Sequence, residues 1–275
     1  MHKNYHPTTF HGGHNVTKKH PLKTASKLFV YLLAILGVIY IGLGFAIDSV
    51  VTTISAEQEQ WLWDKIRPNY GITEDPSPYL LERQKQVQEI FDMIPLSALE
   101  HRYPFKVLIQ ETPVVNAYAA PGGFIIVTSG LLDKLKTENA LVFVLGHELG
   151  HFQNRDHLKS IGRELVLAKI IRAILGKDIS GLFAQLTMAF ENEYSRRQEY
   201  AADDWGLKLL HATFGHVGGA TEFFEMIEDL GSQSSLEAFF STHPAAKDRA
   251  KRLIKKINLQ QLEMQKTVEL ISIKS

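Results

Sequence analysis

Two histidines four residues apart, His147 and His151, bracket Glu148 in the run LVFVLGHELGHFQNRDH. Residues at i and i+4 share a helix face, so both imidazoles can hold one cation while Glu148 reaches toward a water beside it. Paired imidazoles suit zinc, and a catalytic zinc keeps one position open for water. A tetrahedral ion then lacks one protein ligand. With no cysteine anywhere in the chain, that ligand has to be His, Asp or Glu. The run NEYSRRQEYAADDWG offers Glu199 and Asp203, again four apart on one face of a predicted helix. By charge pattern alone the same face reads as a solvated, salt-bridged surface with Arg196 and Arg197. Gly146 and Gly150 flank His147 inside the helical pattern. Each costs about 1 kcal/mol relative to Ala there, a loss better matched to close approach by another element than to a plain core face.

These residues need a scaffold, and 275 residues suffice for one sizeable core plus an appendage. Periodicity predicts a helix over 79–94, strands at 105–110, 113–119 and 124–129, and a turn at Pro-Gly-Gly 121–123 that joins the last two as a hairpin. Helices follow over 138–156 after Thr137 as N-cap, then 191–211, 216–230 and 244–257, the last with Pro244 in its first turn. The expectation is an α+β domain, mostly helical with a small sheet.

Residues 1–27 carry five lysines, five histidines and no acidic residue, and read as a disordered basic tail. Residues 28–47 contain no charge, and twenty helical residues span the roughly 30 Å hydrocarbon core, so they predict one membrane anchor. Gly44 and Ala46 leave a cleaved signal peptide as the rival reading. The lysines precede the anchor, while Asp48, Glu57, Glu59 and Asp64 follow it. This places the N-terminus in the cytoplasm and the folded domain on the outer side. The apolar stretch 161–190 holds Arg163, Glu164, Lys169 and Arg172 in its first half, each Arg or Lys costing about 2.5 to 3.5 kcal/mol at a membrane helix centre. It is expected as two core-packed or membrane-surface helices, the second at 182–190. Thirty basic residues balance thirty acidic ones, so no overall field gathers nucleic acid, and no nucleic-acid partner is expected.

Four segments together resemble the M48 family of zinc peptidases: NAYAAPGGFIIVTSGLL at 116–132, HELGH at 147–151, SRRQEYAAD at 195–203 and STHPAAKDR at 241–249. The resemblance implies a zincin-like peptidase domain over 79–260, after a linker and juxtamembrane helix at 48–78 and before a C-terminal tail at 261–275. It implies one zinc ion held by His147, His151 and Glu199, with Asp203 orienting a ligand and Glu148 as general base. Asn116, Ala117, Tyr118 and Ala119 become the edge to which an extended substrate peptide adds, and Arg249 a weaker substrate contact. His243, in the THP segment, has two readings: an oxyanion stabiliser, or a ligand that closes the open metal position in a resting state. The implied activity is hydrolysis of unfolded or misassembled proteins by a membrane-anchored zinc endopeptidase. Alternatives are a tethered chaperone-like factor with a structural zinc, and a CAAX prenyl protease-like enzyme, which the single span makes a poorer match.

Overall fold

The structure, a computed structural model of the chain, describes residues 21–72, 76–100, 103–163, 194–231 and 236–271. The chain divides into two compact units, Met1–Phe45 and Ala46–Ser275. Helix α1 (Pro21–Val51) provides the described part of the first and continues into the second. It is long and apolar enough to cross a membrane, and none of its most apolar stretch is buried. The expected tail of 1–27 gives way to helix already at Pro21: proline needs no N–H donor at a helix start, and the lysines after it extend an adjoining helix readily.

In the second unit a three-stranded sheet forms in the order β1-β3-β2, from β1 (Lys106–Gln110), β2 (Ala117–Ala120) and β3 (Phe124–Thr128). β3 runs parallel to β1 and antiparallel to β2, with Ala117 opposite Val127 and Ala120 opposite Phe124. The hairpin is the expected one, but its first strand begins at Ala117 rather than 113. Pro113 has no N–H for a ladder, and side chains hold the preceding segment instead: Ser129 Oγ donates to Thr112 O at 2.9 Å and Thr128 Oγ1 to Asn116 O at 2.8 Å. Alternation splits the sheet into two faces. Val107, Ile109, Ala119, Ile125 and Val127 join the main core. Ala120 and Ile126 pack instead with Trp63 and Tyr70, brought by α2 (Ala56–Ile66) and the 3-10 turn after it; the Trp63 ring stacks on Phe124 at 4.9 Å.

The main core is built on α5 (Glu138–Gln153), which follows α3 (Pro78–Asp92) and the short α4 (Ser129–Leu132). Thr137 caps α5 through Ala140 N–H, and every residue from Asn139 to Phe152 is buried. A helix apolar on all sides belongs at the centre of a domain. It ends at Gln153, three residues short of expectation, because Arg155 takes φ +54°; helix resumes at 156–163. α6 (Arg196–Phe214) crosses it, opened by a capping box in which Ser195 and Gln198 satisfy each other's backbone N–H groups. α7 (Glu222–Leu230), α8 (Glu237–Thr242) and α9 (Ala246–Leu259) complete the wall. The last two long helices start later than the pattern predicts, since Gly215, Gly219 and Ala245 have positive φ and Pro244 stands before α9 rather than in it. The helices expected within 161–190 lie outside the described residues beyond 163.

The two glycines noted beside His147 are where α5 meets α6. A Cβ on Gly146 would lie 3.1 Å from Gly206 Cα, and one on Gly150 only 2.8 Å from Ala202 Cα and 2.9 Å from Trp205 Cβ. Backbone cannot yield as a flexible side-chain tip can. Gly150→Ala should therefore destabilise the metal-free protein by about 1–3 kcal/mol, although Ala is the better helix former. Thermal unfolding of the two forms checks this, and an unchanged or raised midpoint contradicts it.

Candidate metal centre

The close crossing of α5 and α6 carries Glu199 and Asp203 over His147 and His151. One ligand atom from each of His147, His151, Glu199 and His243 lies within 4.8 Å of all the others, and all four residues are buried. His147 Nε2 and His151 Nε2 are 3.1 Å apart, and Glu199 Oε1 lies 3.2 Å from the second of these nitrogens.

The far sides of both rings fix their tautomers. His147 Nδ1 faces Asp203 Oδ1 at 3.0 Å, and His151 Nδ1 faces Asp156 Oδ2 at 3.2 Å. An ionised carboxylate can only accept, so each Nδ1 carries a proton, and once the ring is neutral each Nε2 turns a lone pair inward. Two imidazole lone pairs and a carboxylate thus converge on one point, an arrangement that a cation between them relieves. The donor set of nitrogen and oxygen fits such an ion.

Charge argues the same way. Glu148, Asp156, Glu199 and Asp203 are all buried, with one buried guanidinium, Arg249, at Glu199 and Asp203 and a part-exposed Lys159 at Asp156. Arg249 donates through Nε to Asp203 Oδ2 at 3.0 Å and through Nη2 to Oδ1 at 2.7 Å, and its Nη1 pairs with Glu199. Burial alone would raise the Glu199 carboxyl, but His243, Arg249 and His147 hold it well below the usual range. Asp203 is likewise lowered against its burial by Arg249 and His147. For His151 burial would lower the pKa, yet Asp156, Glu199 and Glu148 outweigh it and push it up to about 10, so without a cation its Nε2 also carries a proton, whose place a metal ion would take. The pocket draws positive charge. Glu148 Oε2 is buried and makes no hydrogen bond, an acceptor left for a ligand.

His243 ends α8 and points into the same space. Its Nδ1 lies 3.1 Å from Glu199 Oε1 and 3.4 Å from His147 Nε2, while its Nε2 lies 3.3 Å from Ala117 O on β2 and 3.8 Å from Glu148 Oε1. Phe239 stacks on its ring at 5.2 Å. Ala117, Tyr118 and Ala119 form β2, which has no strand on its other side among the described residues. Asn116 lies just before it, buried and pinned to Thr128. Arg249 was expected at a substrate; its guanidinium is 1% exposed and fully engaged with the two carboxylates of α6.

Sequence reasoning missed Asp156. It opens the helix beyond the turn after α5, where its partner is five residues back and helical spacing gives no cue; Gln198 Nε2 steadies its other oxygen at 2.8 Å. Asp156→Asn keeps the shape but presents an amide N–H to Nδ1, which favours the tautomer with Nε2 protonated. It should weaken metal affinity about tenfold to a hundredfold at unchanged fold. Competition with a chromogenic chelator measures this, and wild-type affinity would remove Asp156 from the ligand support.

The model of peptidase family M48 matches residues 81–257, more than half of the chain. The chain is 33% identical over 156 residues to mitochondrial metalloendopeptidase OMA1 of Arabidopsis thaliana, covering 54% of this chain and 31% of that protein. It is 28% identical over 204 residues to the mitochondrial metalloendopeptidase OMA1 of Danio rerio, covering 68% of this chain and 40% of that protein. To metalloprotease LoiP of Escherichia coli it is 32% identical over 150 residues, covering 50% and 57%. The chain thus spans between about a third and three fifths of the length of these relatives. The match takes in the helix pair, the hairpin and the segment of His243, and by it the chain belongs to peptidase family M48, a family of metallopeptidases.

Proposed function

We propose that the protein is a membrane-anchored zinc endopeptidase acting on unfolded or misassembled proteins, with one zinc ion held by His147, His151 and Glu199. The observation that carries this reading is the convergence of two inward imidazole Nε2 atoms and a carboxylate beside Glu148 Oε2, a buried acceptor with no protein partner. When bound, a zinc ion supplies Lewis acidity, which polarises the scissile carbonyl and acidifies the attacking water. Glu148 takes that water's proton and returns it to the departing amide nitrogen. Asp203 and Asp156 hold the two imidazoles in the tautomer that offers Nε2. Arg249 acts through Glu199 and Asp203, balancing their charge and fixing their direction. The open edge of β2 lets an extended peptide add as a further strand, its carbonyl brought toward Glu148.

His243 supports the resting-state reading in this conformation. Its Nδ1 stands with the ligand atoms, and the space left between Glu148, His243 and the rings of Phe143, Phe223 and Phe239 is about 10 Å³, room for one water and no peptide. A swing of the ring out of this position opens the cleft and leaves it free to stabilise the developing oxyanion. The exposed apolar surface of α1 is the reason to place the enzyme on a bilayer, and the lysines before it the reason to place its N-terminus in the cytoplasm and its peptidase domain outside.

Carbonate-washed membranes carrying the full chain should hydrolyse an unfolded protein, lose this activity to a chelator and regain it with zinc. Glu148→Gln should keep the metal and lose the hydrolysis, by at least a hundredfold. Activity released by the wash contradicts the anchor, and hydrolysis by metal-loaded Glu148→Gln contradicts the base. His243→Ala should raise turnover if closure of the cleft limits the rate, and lower it about a hundredfold if oxyanion stabilisation does.

A further inference from the structure

The family match begins at residue 81, yet a carboxylate from well before that point is buried inside the domain. Glu59 of α2 is 0% exposed. Its Oε1 accepts from Tyr103 Oη at 2.6 Å; its Oε2 accepts from Gly122 N–H at 3.2 Å and lies 3.2 Å from His157 Nε2. Burial alone would raise this carboxyl, but His157, Tyr103 and the Gly122 N–H together hold it below its ordinary range. One side chain thus ties α2 to the turn of the β2–β3 hairpin and to the helix that follows the metal-ligand turn. The capping box of Ser55 and Gln58 starts α2 in the register that aims it there.

A second tie runs beside it. Arg155 sits immediately before Asp156 with φ +54°, a conformation a non-glycine residue keeps only when its surroundings enforce it. Its Nη1 donates to Val51 O at the C-terminal end of α1 and to Ile54 O in the link to α2, both at 2.7 Å, and lies 3.7 Å from Glu59 Oε1. A guanidinium on the last carbonyls of a helix is favoured by their exposed lone pairs and by the helix dipole. The backbone turn that presents Asp156 to His151 is therefore held from outside the family domain.

We propose that Glu59 and Arg155 are positioning residues, through which the segment from the end of α1 to α2 sets the Asp156–His151 pair and the hairpin that carries β2. The proposal rests on His151 being a metal ligand. It makes residues 46–66 a working part of the peptidase, so that a displacement of the end of α1 reaches both the metal site and the substrate edge.

The test uses the full chain with Glu59→Gln and Arg155→Lys, and Ile90→Ala as a control. Gln keeps the size of Glu59 but removes its charge and one of its two acceptor oxygens; Lys keeps the charge of Arg155 but is one bond shorter, so its ammonium falls short of the Nη1 position that serves both carbonyls. Ile90, buried in α3, lies outside this chain of contacts. Zinc affinity is measured by chelator competition, and hydrogen exchange of the metal-free protein is followed at 117–120 and 151–157. The two variants should bind zinc at least tenfold more weakly and exchange faster at both segments, while the control, at an equal loss in unfolding midpoint, stays within about twofold of wild type. Equal weakening in the control, or wild-type affinity and exchange in both variants, overturns the proposal alone. A wild-type chain that binds no zinc overturns the metal-site reading and this proposal with it.

Discussion

Where α5 crosses α6 the two backbones meet with almost no side chain between them, because Gly146 and Gly150 face Gly206 and Ala202. The separation of these helices decides whether Glu199 reaches the nitrogens of His147 and His151. A methyl group at Gly150 would have to occupy space 2.8 Å from a backbone carbon, so any remedy moves a helix that carries His147 and His151 or Glu199. Packing and chemistry are here the same constraint. The helix propensity lost at these glycines is the cost of bringing a carboxylate onto a pair of imidazoles.

Around that contact the domain assembles charge that would be expensive to bury without a cation. Four carboxylates and a guanidinium sit out of solvent, each carboxylate with a hydrogen-bonding or ionic partner, and two of them spent on holding imidazoles by their outer nitrogens. Removing a partner from such a group leaves an uncompensated buried charge, which costs several kcal/mol. Lys159 beside Asp156 offsets one more of these charges, and a dication between His147, His151 and Glu199 would offset the remaining two. The aromatic wall of Tyr194, stacked on the His151 ring at 3.9 Å, and Phe239 on His243 confines these rings further.

Much of this was legible in the residues. HELGH marked a helix and put its two histidines on one face at once, since a four-residue repeat on one helix is a local geometry, and the glycines beside it announced a close neighbour. Glu199 and Asp203 followed from the same periodicity once the family likeness separated them from an ordinary charged face. What stayed hidden depends on turns and on distant pairing. Asp156 follows a helix break made by a positive φ at Arg155, which no propensity marks. Glu59 looked like one more acidic residue after the apolar N-terminal stretch, because its partners Tyr103, Gly122 and His157 lie forty-four to ninety-eight positions away. Arg249 read only as a weak substrate contact, and the fold shows it turned inward to Asp203.

The convergence of His147, His151 and Glu199 on a single cation is the central claim, and its most direct measurement is anomalous diffraction at the zinc edge from crystals of the full chain grown with zinc. One strong peak per chain bounded by the Nε2 atoms of His147 and His151 and the carboxylate of Glu199 is the expected result. A peak held by other side chains, such as the histidines of the first twenty residues, with none between α5 and α6, would contradict the account.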